Sequence, residues 1–200
     1  MRPVKYDALR ELISISRCNL RNYRFDLPQS EIKSHGNTTS KKSVPETTRF
    51  QACLKTPFAV LGIRTDGDYL THIEFLPRKH PPLEPLTPAA ALAWNQLDAY
   101  VNDPNFRFTL LLSVEGTLHQ MAVWRAMQQI PRGETRTYGE LARSIKSAPR
   151  AAGQACGRNP VPIIIPCHRI VSSSGLGGFM GAQDGAPIKI KQWLLAHEQG

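Results

Sequence analysis

A cysteine stands directly before a histidine in the run IPCHR, residues 165–169. Three interpretations fit this pair. Cys167 could be a nucleophile with His168 as its base, the two could be metal ligands, or they could be neighbours with separate roles. A nucleophilic cysteine reacts as the thiolate, and a free thiol titrates near about 8.5, so it needs a base or a positive charge nearby. An inert buried cysteine is the simpler alternative.

The geometry of a strand bears on this choice. The apolar run IIIPCHR, residues 163–169, favours a buried strand, in which successive side chains point to opposite faces. His168 would then face away from Cys167, which argues against a shared metal ion. It permits a relay in which His168 takes the thiol proton through a water molecule while a carboxylate orients the histidine. Glu198 is the candidate carboxylate. It ends a predicted helix, where the helix dipole disfavours negative charge, so it is either solvated or paired with a group such as histidine.

The spacing of the other metal-binding residue types gives no support for a metal site. The four cysteines form no CxxC pair, and the six histidines are scattered along the chain. We therefore expect no metal and no disulfide framework, and free thiols fit a reducing compartment.

Composition narrows the class of protein further. Of 200 residues, 41% are hydrophobic, and no apolar run approaches the roughly 20 residues of a membrane helix. The N-terminus lacks the apolar core of a signal peptide, so we expect a cytoplasmic protein, nucleoid-associated or nuclear if eukaryotic, that does not bind membranes. The net charge is +9, and residues 1–49 hold ten Lys and Arg against five Asp and Glu. This excess indicates either a nucleic-acid partner or a solvated basic tail.

The elements that must position these residues fall into three predicted segments. Residues 1–48 read as a basic, flexible extension with a short helix over DALRELISI. Residues 49–113 predict a small α/β domain: a hairpin turning at Asp66-Gly67, a helix starting at Thr87-Pro88, and a further strand over FRFTLLLSV, residues 106–114.

Residues 114–200 predict a helical domain. Capping boxes begin helices at Thr117 and Thr137, and Ser147-Ala148-Pro149 can cap a third helix that stops at Gly157. Two short helices joined by a tight turn indicate a helix-turn-helix, although plain cores also contain such pairs. The third helix displays small residues after Arg150, which suits either a minor groove or close helix packing. An amphipathic helix ends the segment.

Four motifs occur in a known order: TYGELA, RAAGQACGRNPVPIII, PCHRIV and WLLAHE. Together they resemble the O6-alkylguanine-DNA alkyltransferase family, the methylated-DNA–protein-cysteine methyltransferases. The resemblance is specific over residues 117–200, loose over 50–113 and absent over 1–48. It implies a ribonuclease-H-like N-terminal subdomain (small antiparallel sheet plus helix) followed by a mostly helical domain with a helix-turn-helix.

The resemblance also implies a function. Members of the family bind double-stranded DNA containing alkylated bases, extrude the damaged base, and move its alkyl group from guanine O6 or thymine O4 to their own cysteine. The thioether is permanent, so each molecule acts once. No cofactor is needed, and we expect a monomer.

Site residues follow from the matched motifs. Cys167 matches the alkyl acceptor, His168 the histidine that acts through water, and Glu198 the carboxylate that orients it. Asn159 matches the asparagine that ties the turn before the active-site segment, and Tyr138 the tyrosine that protonates the departing guanine. The implied DNA-binding residues are Arg150, which fills the gap in the base stack, with Tyr138, Ala151, Gly153 and Gln154. The implied base pocket contains Ile170, Met180 and Pro162, and the backbone carbonyls of Cys167 and Ile170 are expected to hold the base's amino group.

Two features depart from the family pattern. Met180 stands where members commonly have a small residue, and the stretch from Cys167 to Glu198 is a few residues long, which suggests an insertion near 183–187. Both leave the size range of the alkyl group open. Two rival functions are a non-repairing DNA-binding relative, which would lack the cysteine, and a Cys-His-Glu hydrolase, which would need an oxyanion hole.

Overall fold

An antiparallel sheet forms from three apolar segments near the start of the described chain. The structure, a computed structural model, describes residues 49–200. The strands β1 (Ala52–Lys55), β2 (Val60–Asp66) and β3 (Tyr69–Leu76) pair in the order β1-β2-β3. Gly67 takes the turn between β2 and β3 with a φ of 52°, a conformation that glycine adopts without a Cβ clash. The predicted hairpin is confirmed.

Helix α1 (Pro88–Asn102) covers this sheet, and it begins where the sequence predicts. The Thr87 side chain accepts a hydrogen bond from the Ala90 N–H, and Pro88 occupies the first turn, where its missing N–H costs nothing. The buried face of the helix carries Ala90, Ala93, Gln96, Leu97 and Tyr100.

The strand predicted over residues 106–114 does not form, although the alternating burial of this segment is real. Phe106, Phe108, Leu110 and Leu112 are half-buried while their neighbours are exposed. The segment makes only an isolated bridge to β3, where the Leu70 N–H donates to Leu111 O at 2.9 Å. A period of two predicts an extended backbone, but it cannot say whether a ladder partner runs alongside.

Three helices then follow: α2 (Leu118–Gln128), α3 (Tyr138–Ser144) and α4 (Pro149–Cys156). The capping boxes at Thr117 and Thr137 are both present. The predicted cap at Ser147 is wrong, because its Oγ is bonded to His119 Nε2 at 2.8 Å and Ala148 precedes α4 without a side-chain cap. Helix α4 ends at Gly157 as predicted.

The strand favoured for residues 163–169 is also absent. Ile163 has a φ of 77°, and residues Cys167–Arg169 form a 3-10 turn. Prolines at 160, 162 and 166 lack the N–H that a central strand must donate, which explains the failure. Regular pairing resumes only where β5 (Ile170–Val171) runs parallel to β4 (Arg136–Thr137).

The last helix, α5 (Gly185–Gln199), closes a core shared by the sheet and the helices. The predicted class, a small antiparallel sheet with a helix followed by a mostly helical part with a helix-turn-helix, is confirmed. The division at 113/114 stays a prediction, and the extension predicted over 1–48 lies outside the described residues. Among residues 49–200, no helix combines the length and apolarity needed to cross a membrane.

Candidate functional site

Cys167 opens the 3-10 turn and lines a cavity of about 380 Å³. Only 6% of the residue is exposed. The cavity lies between the helix pair α3–α4 and the loop that precedes α5, and its wall includes Tyr138, Cys156 and Met180. A small ligand entering here would therefore meet the thiol while it contacts the helix pair.

The three predicted pocket residues have different positions. Met180 lines the cavity, whereas Ile170 and Pro162 are buried and are not among its lining residues. The Ile170 carbonyl accepts a hydrogen bond from Lys191 Nζ, and the Cys167 carbonyl accepts one from the Ile170 N–H. Since a carbonyl has two lone pairs, the predicted contacts to a base stay predictions.

Burial makes the Cys167 thiol a weak acid. Desolvation raises its pKa to about 11, although the Asn159 side chain and the charge of Lys191 favour the thiolate and oppose this shift. At neutral pH the sulfur therefore carries its proton, and a nucleophilic reaction requires a base to remove it.

His168 is the neighbouring base, and it is fully buried. Its Nε2 lies 2.9 Å from Glu198 Oε1. Burial lowers the pKa of His168 more than Glu198 raises it, so the imidazole is neutral. Desolvation opposes ionisation of Glu198 too, but hydrogen bonds and charge from His168 and Arg169 hold its pKa well below the usual range.

These charge states fix the tautomer of His168. An ionised Glu198 can only accept hydrogen bonds, so Nε2 of His168 must carry the proton and donate it. Nδ1 then holds the free lone pair, and this atom is buried with no hydrogen-bond partner among residues 49–200. The ring thus presents an unused proton acceptor in the same turn as Cys167, as the predicted relay requires.

Two residues that sequence reasoning did not assign hold Glu198 in place. Arg169 donates from Nε to Oε2 at 2.8 Å and from Nη2 to Oε1 at 2.7 Å, and its Nη1 donates to Ile130 O. The Tyr100 hydroxyl, from α1, donates to Oε1 at 3.0 Å. The carboxylate is therefore saturated with donors and cannot turn away from His168.

Lys191 is a third residue that was missed. It is fully buried, and its Nζ donates to the carbonyls of Ile170, Leu176 and Gly178 at 2.6, 2.6 and 3.0 Å. Burial lowers its pKa to about 8. These bonds fasten the loop over the cavity to α5, and they place a positive charge near the thiol.

A sequence signal for Lys191 was available. The buried residues of α5 include Lys191, Leu194 and Glu198, spaced three and four apart on one helical face. A lysine within an apolar stripe that also carries a candidate catalytic carboxylate points to a buried ammonium group.

Tyr138 reaches the cavity from the first turn of α3. Its hydroxyl donates to Gly178 O at 3.1 Å, the carbonyl that Lys191 also contacts. Burial raises the pKa of Tyr138 to about 12, so it remains a protonated donor at neutral pH. A Cβ on Gly177, which has a φ of 69°, would lie 2.9 Å from the Ser172 nitrogen and 3.1 Å from the Tyr138 ring, so only glycine fits beside this tyrosine.

Asn159 ties the chain between α4 and Cys167. Its Nδ2 donates to Ile165 O at 2.7 Å, and its Oδ1 accepts from the Val161 N–H at 3.1 Å. The backbone around Ile163, which has a positive φ, is thereby held on both sides. The side chain therefore holds the turn that leads to the cysteine, and its part in the reaction stays a prediction.

Apart from Tyr138, which is in α3, the predicted DNA-binding residues lie on α4. Arg150 and Gln154 are exposed, and Ala151 and Gly153 are half-buried between them. Gly153 faces the Tyr138 ring, since a Cβ built there would lie 3.6 Å from it. The helix therefore offers an almost flat backbone surface with one cation at its start, next to the mouth of the cavity.

The described residues contain no group of three or more His, Cys, Asp and Glu side chains that could hold a metal ion. Cys156 and Cys167 both line the cavity, but His168 is not among its lining residues. The geometry of this site matches a proton relay to a thiol better than a ligand set.

The sequence of this chain is similar to those of known proteins. A family model described as the DNA-binding domain of 6-O-methylguanine DNA methyltransferase matches residues 119–200. A methylated-DNA–protein-cysteine methyltransferase of Mycobacterium tuberculosis is 38% identical over 153 residues, which cover 73% of this chain and 90% of the relative. One of Methanosarcina mazei is 44% identical over 108 residues, 52% of this chain and 65% of the relative's length.

Two solved structures are also similar to this chain. The crystal structure of the Mycobacterium tuberculosis O6-methylguanine methyltransferase superposes with a TM-score of 0.64 at 37% identity, covering 74% of this chain and 90% of that one. The same organism's protein in complex with DNA gives 0.63 at 38% identity, with 74% and 91% covered.

Proposed function

Because this chain belongs to the methylated-DNA–protein-cysteine methyltransferase family, we propose that it repairs DNA by moving an alkyl group from guanine O6 to its own Cys167. The main support for the proposal is that His168, paired with the buried Glu198 of α5, lies in the same turn as a cysteine that lines a cavity. A protonated thiol, a neutral imidazole with a free Nδ1 and a fixed carboxylate are the parts that such a transfer needs.

The proposed step exchanges one bond for another. The Cys167 proton passes through a water molecule to His168 Nδ1, and the sulfur attacks the alkyl carbon, so that the S–C bond forms as the C–O6 bond breaks. The electron pair of that bond stays on the guanine, which takes a proton from the Tyr138 hydroxyl and leaves neutral. The His168 proton restores the tyrosine, so charge and protons balance, and the thioether consumes the protein.

Access to the base requires that it leave the duplex. The sulfur of a residue that is only 6% exposed within a cavity cannot reach a group inside stacked DNA, so we propose that the damaged nucleotide rotates into the cavity. The small residues of α4 would contact the minor groove, and Arg150 would occupy the space that the base vacates. Thymine O4 presents the same bond to the sulfur, and we include it as a second substrate.

Replacing Arg150 by alanine tests the extrusion. We expect repair of O6-methylguanine in duplex DNA to slow by about ten- to a hundredfold, because a few kcal/mol of unstacking would go uncompensated. Reaction with free O6-methylguanine, which needs no extrusion, should slow much less. Single-turnover rates on both substrates measure the difference, and equal losses on the two would contradict the role of Arg150. Arg158→Ala is a matched control, because this exposed arginine follows the end of α4.

Mass spectrometry tests the proposed function itself. The protein is mixed with duplex DNA containing O6-methylguanine, digested and analysed. We expect one methyl group on the peptide that contains Cys167, a matching amount of restored guanine, and no further turnover. Continued turnover, or a methyl group on another residue, would refute the proposal.

A further inference from the structure

Met180 occupies a backbone position that does not suit it. It forms a tight two-residue turn with Gly181, and their φ values are 53° and 79°. Phe179 and Ala182 close the turn with two backbone hydrogen bonds of 2.9 and 3.0 Å. Glycine and asparagine are favoured at both central positions of such a turn, and a long side chain is strained there.

Burial does not account for the methionine either, because the residue is 42% exposed. An apolar side chain kept at a strained and exposed position points to a function of the side chain itself.

The location of Met180 suggests that function. It lines the cavity of Cys167, and it also lines a second, apolar groove of about 630 Å³ on the other side of its turn. Among the lining residues of the two spaces, Met180 is the one that they share. Residues of the groove come from the connection between β1 and β2, from β3 and from α5, and they include Phe58, Phe75, Pro187, Ile190 and Trp193.

The aromatic residues of the groove are continuous with the cavity wall. The Phe58 and Trp193 rings pack with their centroids 4.4 Å apart. Phe75 lies 5.9 Å from Phe179, which itself lines the Cys167 cavity. An apolar chain or ring that passed the Met180 side chain would therefore enter an aromatic surface rather than water.

We propose that the groove is a second compartment of the substituent-binding site and that Met180 is a movable wall between the compartments. Its occupant is the far end of an O6 substituent too long for the Cys167 cavity, such as an alkyl chain of several carbons. This inference rests on the proposed function and specifies its substrates.

The side chain is suited to such a movement. Methionine is unbranched and flexible, so it can change rotamer without moving the backbone. The turn is open at the next residue, because a Cβ built on Gly181 would meet no atom within 4 Å. The insertion near 183–187, which the sequence indicates, begins directly after this turn and supplies Pro187 to the groove.

Filling the groove from outside the Cys167 cavity tests the proposal. Ala186 lines the groove, does not line the cavity, and is exposed on α5. Ala186→Phe should lower the ratio of O6-hexylguanine to O6-methylguanine transfer rates by about tenfold, the scale on which apolar pockets discriminate substituent size. Ala196→Phe, an exposed position on the same helix that lines none of the described pockets, is the matched control. Equal ratios in the two variants would overturn the proposal.

Removing the wall is the complementary test. Met180→Gly should raise the hexyl-to-methyl ratio by about tenfold, and its melting temperature should not fall, because glycine relieves the strained φ. An unchanged ratio, or a lower melting temperature that marks a purely structural side chain, would count against the inference. Methyl transfer to Cys167 by the unaltered protein is measured in parallel. If that transfer is absent, the proposed function has failed. If it is present without any change in the ratios, only the two-compartment site has failed.

Discussion

A Cys167→Ala protein should bind methylated duplex DNA with nearly unaltered affinity and transfer nothing to itself. Alanine removes the only atom that forms the new bond, so we expect the transfer rate to fall by at least about 10⁴-fold, to the limit of detection. The surface that we propose contacts DNA lies on α4 and does not include Cys167, so affinity should change by less than about threefold. Gel-shift titration and mass spectrometry of the same samples measure both quantities.

Cys156 supplies the control for this experiment. It is a second buried thiol that lines the same cavity, and burial raises its pKa to about 12. Cys156→Ala should still accept one methyl group on Cys167, because the Cys156 thiol is directed at the Met127 sulfur at 3.5 Å and is not in the turn that holds His168. Methyl transfer that survives in Cys167→Ala and disappears in Cys156→Ala would reverse the assignment.

Glu198→Gln is expected to have the second-largest effect. The amide is neutral, so Arg169 loses its counterion and His168 loses a charged hydrogen-bond acceptor in a place where the carboxylate side chain is only 1% exposed. Breaking a buried ion pair from one side costs about 3–5 kcal/mol of folding stability. The transfer rate should fall by at least about 100-fold, because His168 loses both its orientation and the charge that stabilises its protonated form.

Stability and chemistry can be separated by measuring single-turnover rates well below the melting temperature of the variant. Tyr100→Phe is the matched control, since it removes one hydrogen bond to Glu198 and leaves the charge intact. It should cost about 1–3 kcal/mol and slow transfer much less. If Glu198→Gln reacts at the rate of the unaltered protein, the carboxylate has no part in the relay.

The pH dependence of stability gives a further readout on Glu198. Its folded-state pKa lies below its ordinary value of 4.5, so its stabilising contribution is present above that pH and is lost as the pH falls. The stability difference between the unaltered protein and Glu198→Gln should therefore be largest above about pH 4.5 and shrink below it. Chemical denaturation at several pH values measures this difference.

Local hydrogen bonds explain which parts of the fold the sequence predicts well. The caps at Thr87, Thr117 and Thr137 join groups three residues apart, so their residue types are sufficient to identify them. Ser147 has the same chemistry, but its partner is His119, 28 residues away. A competing tertiary contact of this kind has no local signature.

In the candidate site, too, contacts between residues far apart in the sequence were harder to predict than local ones. The pairing of Glu198 with a histidine was predictable, because a carboxylate at the end of a helix needs a reason to be there. Tyr100 and Lys191 were not assigned, since their partners are a side chain 98 residues away and three backbone carbonyls of a loop. Backbone acceptors carry no residue type, so the sequence cannot identify the three carbonyls, and the apolar face of α5 indicates only that the Lys191 ammonium group is buried.

The hydrogen bonds between α1 and α5 have a consequence for the order in which the protein folds. Tyr100 donates to Glu198 and accepts from His197 Nε2 through its carbonyl, across sequence separations of 98 and 97 residues. Closing loops of that length costs chain entropy before any stabilising contact forms. The helices α3 and α4 are neighbours along the chain, so their contact requires only a short loop to close. We therefore expect the helix pair to form early and the proton relay to assemble last. A molecule in which the helix pair had formed but the relay had not would bind DNA while its cysteine was still unable to react.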